Sequence, residues 1–297
     1  MPKPRNPSLI LNLLVKMKND NKADSTIKNY NKLLSYLDQH ADLNKPEDVK
    51  RHIAQKDTGK AYKRNLIIAY ALFCKHYKIE WEKPEYRQEA KSIRIPTREK
   101  LEKLISNARN ELSIKPQISM ETGLRPIELC NLKAKDIDLQ QRVIYPTTAK
   151  YGASRTLRMS PNLAERLAEH ITRKAYQAQT KLFSGNSNDY GKSYRMLRNR
   201  LTEKLKDASL RTVRLYDFRH FFATNLYDKT KDILLVKQQM GHKKLDTTLI
   251  YTQLLNLNED EWTGKGATTV EQATQLMESG FQYVTKMDGV KLFKKRK

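Results

Sequence analysis

Six side chains, Arg125, Lys150, Arg219, His220, His242 and Tyr251, have the types and order that a phosphoryl-transfer site without a metal needs. Such a site surrounds the equatorial phosphate oxygens with fixed cationic and neutral donors and sets a side-chain nucleophile in line. Arg125 lies in Thr122-Gly-Leu-Arg-Pro-Ile-Glu-Leu129, where Gly123 allows a tight turn into a helix whose N-terminus also favours an anion. Lys150 falls in the turn of a predicted hairpin, from which a long amine can reach a phosphate. Arg219 and His220 sit in Leu215-Tyr-Asp-Phe-Arg-His-Phe-Phe-Ala-Thr224. His242 follows Arg219 by 23 residues in Met240-Gly-His242, and Tyr251 comes nine residues later. A phosphate-cradling glycine loop with its lysine, a pair of histidines on one helix face and a clustered acidic triad are all missing from the sequence. Chemistry without cofactor or metal is therefore expected.

The partner expected is a polyanion. The chain has 297 residues, about two domains' worth. Its 57 Lys and Arg against 33 Asp and Glu leave a net +24, beyond what solubility requires. Residues 1–96 hold 20 basic and 11 acidic side chains, so the excess is shared along the chain rather than held in a tail. The longest apolar run, Leu66 to Cys74, is far short of the roughly 20 residues that span a bilayer. The N-terminus lacks a signal-peptide stretch, so a cytoplasmic protein with no membrane partner is expected. Cys74 and Cys130 stand in apolar helical contexts and read as buried, reduced thiols.

The elements that must position the site are mostly helices. Ser8–Met17 places Leu9, Ile10, Leu13, Leu14 and Met17 on one face. Ser25 is read as the N-cap of a second helix burying Ile27, Tyr30, Leu33, Leu34 and Leu37, a third helix opens near Pro46, and a fourth covers 58–77. This predicts a helical domain over 1–80 with basic outer faces, on which Lys28, Lys32, Lys60, Lys63 and Arg64 are the candidate phosphate contacts. Residues 81–96 read as a linker. Helices are expected at 97–109, 113–122, 126–133, 161–178, 190–206, 216–228, 231–240 and 245–255. Strands over 142–146 and 155–159 should pair across the turn that holds Lys150. Residues 261–297 read as a helix opened by a capping box at Thr269-Val-Glu-Gln272, then a hairpin around Asp288-Gly289, with a basic end.

Any one of the six residues alone would read as a surface ion-pair partner or a solvated side chain. Together, the boxes Thr-Gly-Leu-Arg-Pro-Ile-Glu-Leu, Tyr216-Asp-Phe-Arg-His220, Gly241-His242 and Tyr251, with Lys150 between strands, resemble the tyrosine recombinase, or phage-type integrase, family. The resemblance extends at motif level over about 97–255, and over 1–80 only as a helical pattern. It implies a two-domain DNA clamp, mainly α with a small β-hairpin or sheet in the catalytic domain (97–260). It makes Arg125 and Arg219 phosphate clamps, Lys150 the general acid, His242 a phosphate-side donor and Tyr251 the nucleophile of a 3′-phosphotyrosyl bond. Glu128 becomes an orienting group, and His220 a residue packed behind Arg219. Tyr216 stands where most members carry a histidine that handles the nucleophile's proton. The arginines and Lys150 should also lower the pKa of the Tyr251 phenol.

The implied function is site-specific recombination, integration or excision, on double-stranded DNA by a homotetramer that exchanges a C-terminal helix near 253–262. Alternatives are chromosome or plasmid dimer resolution of the Xer type, type IB topoisomerase-like nicking and resealing, and a catalytically weak DNA-binding protein motivated by Tyr216. A basic RNA-associated protein would explain the charge but none of the boxes.

Overall fold

The computed structural model describes residues 6–86, 94–148, 153–252 and 262–296. The chain is mostly helical with two small sheets, and it divides into two compact units, Met1–Ser92 and Ile93–Lys297.

In the first unit, α1 (Pro7–Asn19), α2 (Asp24–His40), α3 (Pro46–Gln55) and α4 (Lys60–Tyr77) each turn one apolar stripe inward. Ile10, Leu13 and Met17 meet Leu33, Leu34 and Leu37, with Val49, Ile53, Tyr70 and Phe73 completing the core. Two phenols tie helices to distant backbone: Tyr70 Oη donates to the Leu43 carbonyl (2.9 Å) and Tyr77 Oη to that of Leu9 (2.7 Å). Ser25 is not the N-cap of α2. Ala23 holds that place without a side-chain bond, and Asp24 supplies the negative charge that suits a helix start. Trp81, read as linker, packs edge-on against Tyr70 with ring centroids 4.7 Å apart, because an indole left in water would forfeit its apolar area.

The second unit runs α5 (Arg98–Ser106), α6 (Glu111–Thr122), α7 (Pro126–Asn131), β1 (Ile137–Asp138), β2 (Val143–Ile144), β3 (Leu157–Arg158), α8 (Pro161–Lys174), α9 (Ser187–Lys204), α10 (Asp217–Thr230), α11 (Ile233–Met240) and α12 (Asp246–Leu249). β2 and β3 pair antiparallel as expected, with Ile144 opposite Leu157. β1 adds a third strand that two residues were too few to announce by alternation. α6 is buried on several sides, which is why its apolar residues show almost no one-sided period, and α10 packs along it. That pairing brings the Thr-Gly-Leu-Arg and Phe-Arg-His boxes together. Lys150 and most of the segment expected to exchange between subunits lie outside the described residues.

Residues 262–296 form β4 (Trp262–Ala267), α13 (Val270–Glu278), β5 (Gln282–Met287) and β6 (Val290–Arg296), in a sheet of order β4-β6-β5. The helix and hairpin are as expected. β4 is an addition, hidden in the sequence because Gly264 and Gly266 weaken any strand signal. Thr269 caps α13 by accepting from the Gln272 N–H.

Candidate active site

Arg219 lies at the centre of the constellation. It is 3% exposed and donates to the carbonyls of Gly123 and Met240, the latter at 2.7 Å. Those are the carbonyls at the C-terminal ends of α6 and α11, where the helix dipoles favour a cation. Both helices end on left-handed glycines, Gly123 (φ +68°) and Gly241 (φ +61°). A Cβ at Gly123 would lie 2.5 Å from Phe222 Cδ1, and one at Gly241 2.5 Å from Arg155 Nη1, so both positions need glycine for close approach as well as for backbone conformation. The glycines of the two boxes are thus explained by what they let in.

Arg125 caps α7, and its neighbour Glu128 is 1% exposed. The Glu128 carboxylate accepts from the Arg125 backbone N–H (2.9 Å) and from Arg125 Nη1 (2.9 Å). It also accepts both Nη groups of Arg155, at 2.7 and 3.4 Å. Burial alone would raise the pKa of this carboxyl, but the two arginines and the backbone donor hold it below the usual range. Glu128 is therefore a fixed anion held against Arg125 and Arg155.

Arg155, whose side chain is fully buried, was missed. A signal existed: Arg155, Leu157 and Met159 alternate on one face of an extended segment, all three buried. An arginine on an inward strand face demands an acid partner, and Glu128 is it.

His242 accepts from Arg219 Nη2 at Nε2 (3.1 Å). A guanidinium only donates, so Nε2 is the unprotonated nitrogen, and Nδ1–H donates to Thr248 Oγ1 (3.0 Å). Burial, then the surrounding arginines, push the His242 pKa down to about 4. The imidazole is neutral at pH 7. Between about pH 6.5 and 4 the unfolded chain binds a proton that the folded chain refuses, so stability falls as pH drops through that window, by at most about 3 kcal/mol. Urea unfolding at neutral and acid pH measures this slope, and His242→Gln should flatten it.

Tyr251 is 2% exposed, and its hydroxyl is 3.0 Å from His220 Nδ1. Its pKa is not lowered, contrary to expectation. Burial raises it to about 12, outweighing the attraction of Arg219 and Arg125. Arg219 is itself brought down to about 10, chiefly by burial, and stays charged. His220 is not simply packed behind Arg219 but bonded to the phenol. Tyr216 is 47% exposed at the start of α10, its ring centroid 6.5 Å from that of His220, and no hydrogen bond ties it to Tyr251.

The structure thus gathers Arg125, Arg219, His220, His242, Tyr251 and Glu128, and leaves Tyr216 at the margin. The family profile of the phage integrases matches residues 96–257, more than half of the chain and all of these residues. The chain belongs to the phage integrase family. It is a tyrosine recombinase, an enzyme of site-specific DNA breakage and rejoining. This recombinase is 28% identical over 217 residues to "Tyrosine recombinase XerA" of Saccharolobus solfataricus, covering 72% of this chain and 70% of that one. It is 27% identical over 253 residues to XerA of Pyrococcus furiosus, covering 79% and 85%. Its fold is similar to the Tn1549 transposon integrase solved in complex with circular intermediate DNA (TM-score 0.65, 19% identity, 91% and 99% covered). It is also similar to XerH recombinase bound to palindromic difH substrate (TM-score 0.63, 21% identity, 92% and 85% covered).

Among the candidate DNA contacts of the first unit, Lys28, Lys32, Lys60 and Arg64 are exposed. Lys63 is half-buried and donates to the Ala54 carbonyl at 2.7 Å, so part of its binding capacity is engaged within its own unit. No described helix is long and apolar enough to cross a membrane. Cys74 and Cys130 are buried and unpaired with each other.

Proposed function

We propose that Arg125 and Arg219 hold the non-bridging oxygens of a scissile phosphate in duplex DNA while Tyr251 attacks phosphorus, leaving a 3′-phosphotyrosyl bond and a free 5′-hydroxyl. The observation that carries this reading is the convergence of two arginines, a neutral histidine and a buried tyrosine from four separate boxes. The docked phosphate would take over the Arg219 Nη2 donor that now points at His242. Its negative charge would raise the His242 pKa, turning that imidazole from an acceptor into a third donor. Lys150 is assigned the proton donor to the leaving 5′ oxygen. Because the phosphotyrosine conserves the energy of the phosphodiester, rejoining needs neither a nucleotide nor a metal.

The same reading makes residues 1–80 a core-binding domain, 81–96 a linker, 97–260 the catalytic domain and 261–297 an appendage. The first two domains act as a clamp around DNA, and four protomers join two sites through a Holliday junction. Integration and excision of a mobile element is the role preferred over chromosome dimer resolution, in a cytoplasmic protein that works on the nucleoid. Incubation with a nicked suicide duplex, selected by binding from a random library, tests it. Wild type should give a covalent protein–DNA adduct in EDTA, whereas relaxation of plasmids without site preference would favour a topoisomerase instead.

Affinity should rest on many cations outside the active site. Lys28→Ala, Lys32→Ala and Arg64→Ala together should reduce the slope of log K against log salt by about 2–3, with a nearly uniform loss across DNA sequences. Fluorescence anisotropy at several salt concentrations reads this directly.

A further inference from the structure

A phenol with a pKa near 12 does not ionise unaided at neutral pH, so the attack proposed above needs an acceptor for its proton. The position that usually provides one holds Tyr216, whose hydroxyl is a poor base and which is half in solvent. His242 gives its Nδ1–H to Thr248, and its Nε2, which faces Arg219, is assigned above to donate to the phosphate. Among the described residues the remaining candidate is His220, one residue beyond Arg219 on α10. Its Nδ1 lies 3.0 Å from Tyr251 Oη, within the range a general base requires, and the two rings are 5.9 Å apart.

We propose that His220 is the catalytic base of this recombinase, taking the phenolic proton of Tyr251 at Nδ1 as the tyrosine oxygen attacks phosphorus. The inference rests on Tyr251 being the nucleophile. As the Tyr251 O–P bond forms, the O–H bond breaks and its proton passes to Nδ1. The P–O5′ bond breaks, and the departing oxygen is protonated from the opposite side of the phosphate. In rejoining, the 5′-hydroxyl attacks phosphorus and Nδ1–H returns its proton to the departing phenolate oxygen.

The surroundings suit the assignment. With Nε2 protonated, the neutral ring presents a lone pair at Nδ1 to the phenol. Burial first, and then the charge of Arg219, depress the His220 pKa, which keeps the lone pair available. Among the described residues, the groups facing this corner are Arg219 and Tyr216 on the same helix, His242 before α12 and Tyr251 itself, and none of these is an anion that would hold His220 in its charged form. Oxygen–nitrogen proton transfer from a phenol near 12 remains uphill in the free enzyme. The approaching phosphate and its arginine clamps draw charge from the phenolic oxygen only as the bond to phosphorus forms, so transfer is coupled to attack.

The experiment is single-turnover cleavage of the suicide duplex at pH 7 by His220→Ala, His220→Gln, Tyr216→Phe and Tyr251→Phe, with DNA binding measured in parallel. Glutamine can accept a hydrogen bond but not a proton, so it separates positioning from base catalysis. His220→Ala and His220→Gln are expected to fall by about 10²–10³-fold with DNA affinity held within a few-fold. Tyr216→Phe should lose much less. Added imidazole should restore His220→Ala by about tenfold or more, and replacing Tyr251 by a fluorinated tyrosine of lower pKa should lessen the loss in His220→Gln. Cleavage by His220→Gln within about threefold of wild type would overturn the proposal. Failure of the nucleophile assignment is seen separately, as an adduct that survives in Tyr251→Phe.

Discussion

Arg219→Ala is expected to lower single-turnover cleavage by about 10³-fold or more while DNA binding changes little. One donor to a developing oxyanion is worth about 10²–10³ in rate, and Arg219 brings a full charge as well. It is also a structural tie, since its guanidinium joins the carbonyl ends of α6 and α11. The variant should therefore lose stability too, on the order of 2–3 kcal/mol, from two carbonyls left without their charged donor. Arg219→Lys keeps the charge but cannot span Gly123 and Met240 with one ammonium fixed at the phosphate, so it should be impaired nearly as much. Cleavage assays paired with urea unfolding distinguish the two contributions. Near-normal cleavage by either variant would contradict the placement of the phosphate.

Glu128→Ala should cost the second unit much of its stability. Among the described residues, it removes the one carboxylate paired with the buried guanidinium of Arg155, and it leaves Arg125 without its partner. Removing one partner of a buried ion pair costs about 3–5 kcal/mol, since the other charge remains in a poorly solvated place. Denaturant unfolding of the full chain should show the second unit losing most of its margin. The double variant Glu128→Ala, Arg155→Met should recover part of it, because the buried Arg155 guanidinium is then no longer left without its acid. A loss below about 1 kcal/mol in Glu128→Ala would mean that Arg155 finds solvent or another acceptor. Cleavage should stay low in the double variant even where the fold returns, because Arg125 still lacks the anion that orients it.

Much of the site was legible because the chemistry restricts side-chain types. The proposed phosphate clamp calls for arginines such as Arg125 and Arg219, the proposed nucleophile for a hydroxyl such as that of Tyr251, and Gly123 and Gly241 end the helices whose carbonyls meet Arg219. Glu128 was marked only by the resemblance to the family box, three residues after the arginine it bonds. What escaped was set by tertiary burial. Arg155 pairs with an acid 27 residues earlier, and only the period-2 face it shares with Leu157 and Met159 marks it. The direction of the Tyr251 shift depends on how much water the fold excludes, which no local pattern encodes. The contact between His220 and Tyr251 joins residues 31 apart across two helices. In the scaffold, long amphipathic helices were readable, whereas the two-residue β1 and the glycine-containing β4 carried too little period to be seen.

The most direct measurement is mass-spectrometric mapping of the covalent adduct trapped on the suicide duplex and trimmed with nuclease and protease. One modified peptide is expected, carrying a nucleotide through its 3′-phosphate on Tyr251, with a free 5′-hydroxyl at the other side of the break. A nucleotide on any other residue, or a 5′-linked phosphate, would contradict this expectation.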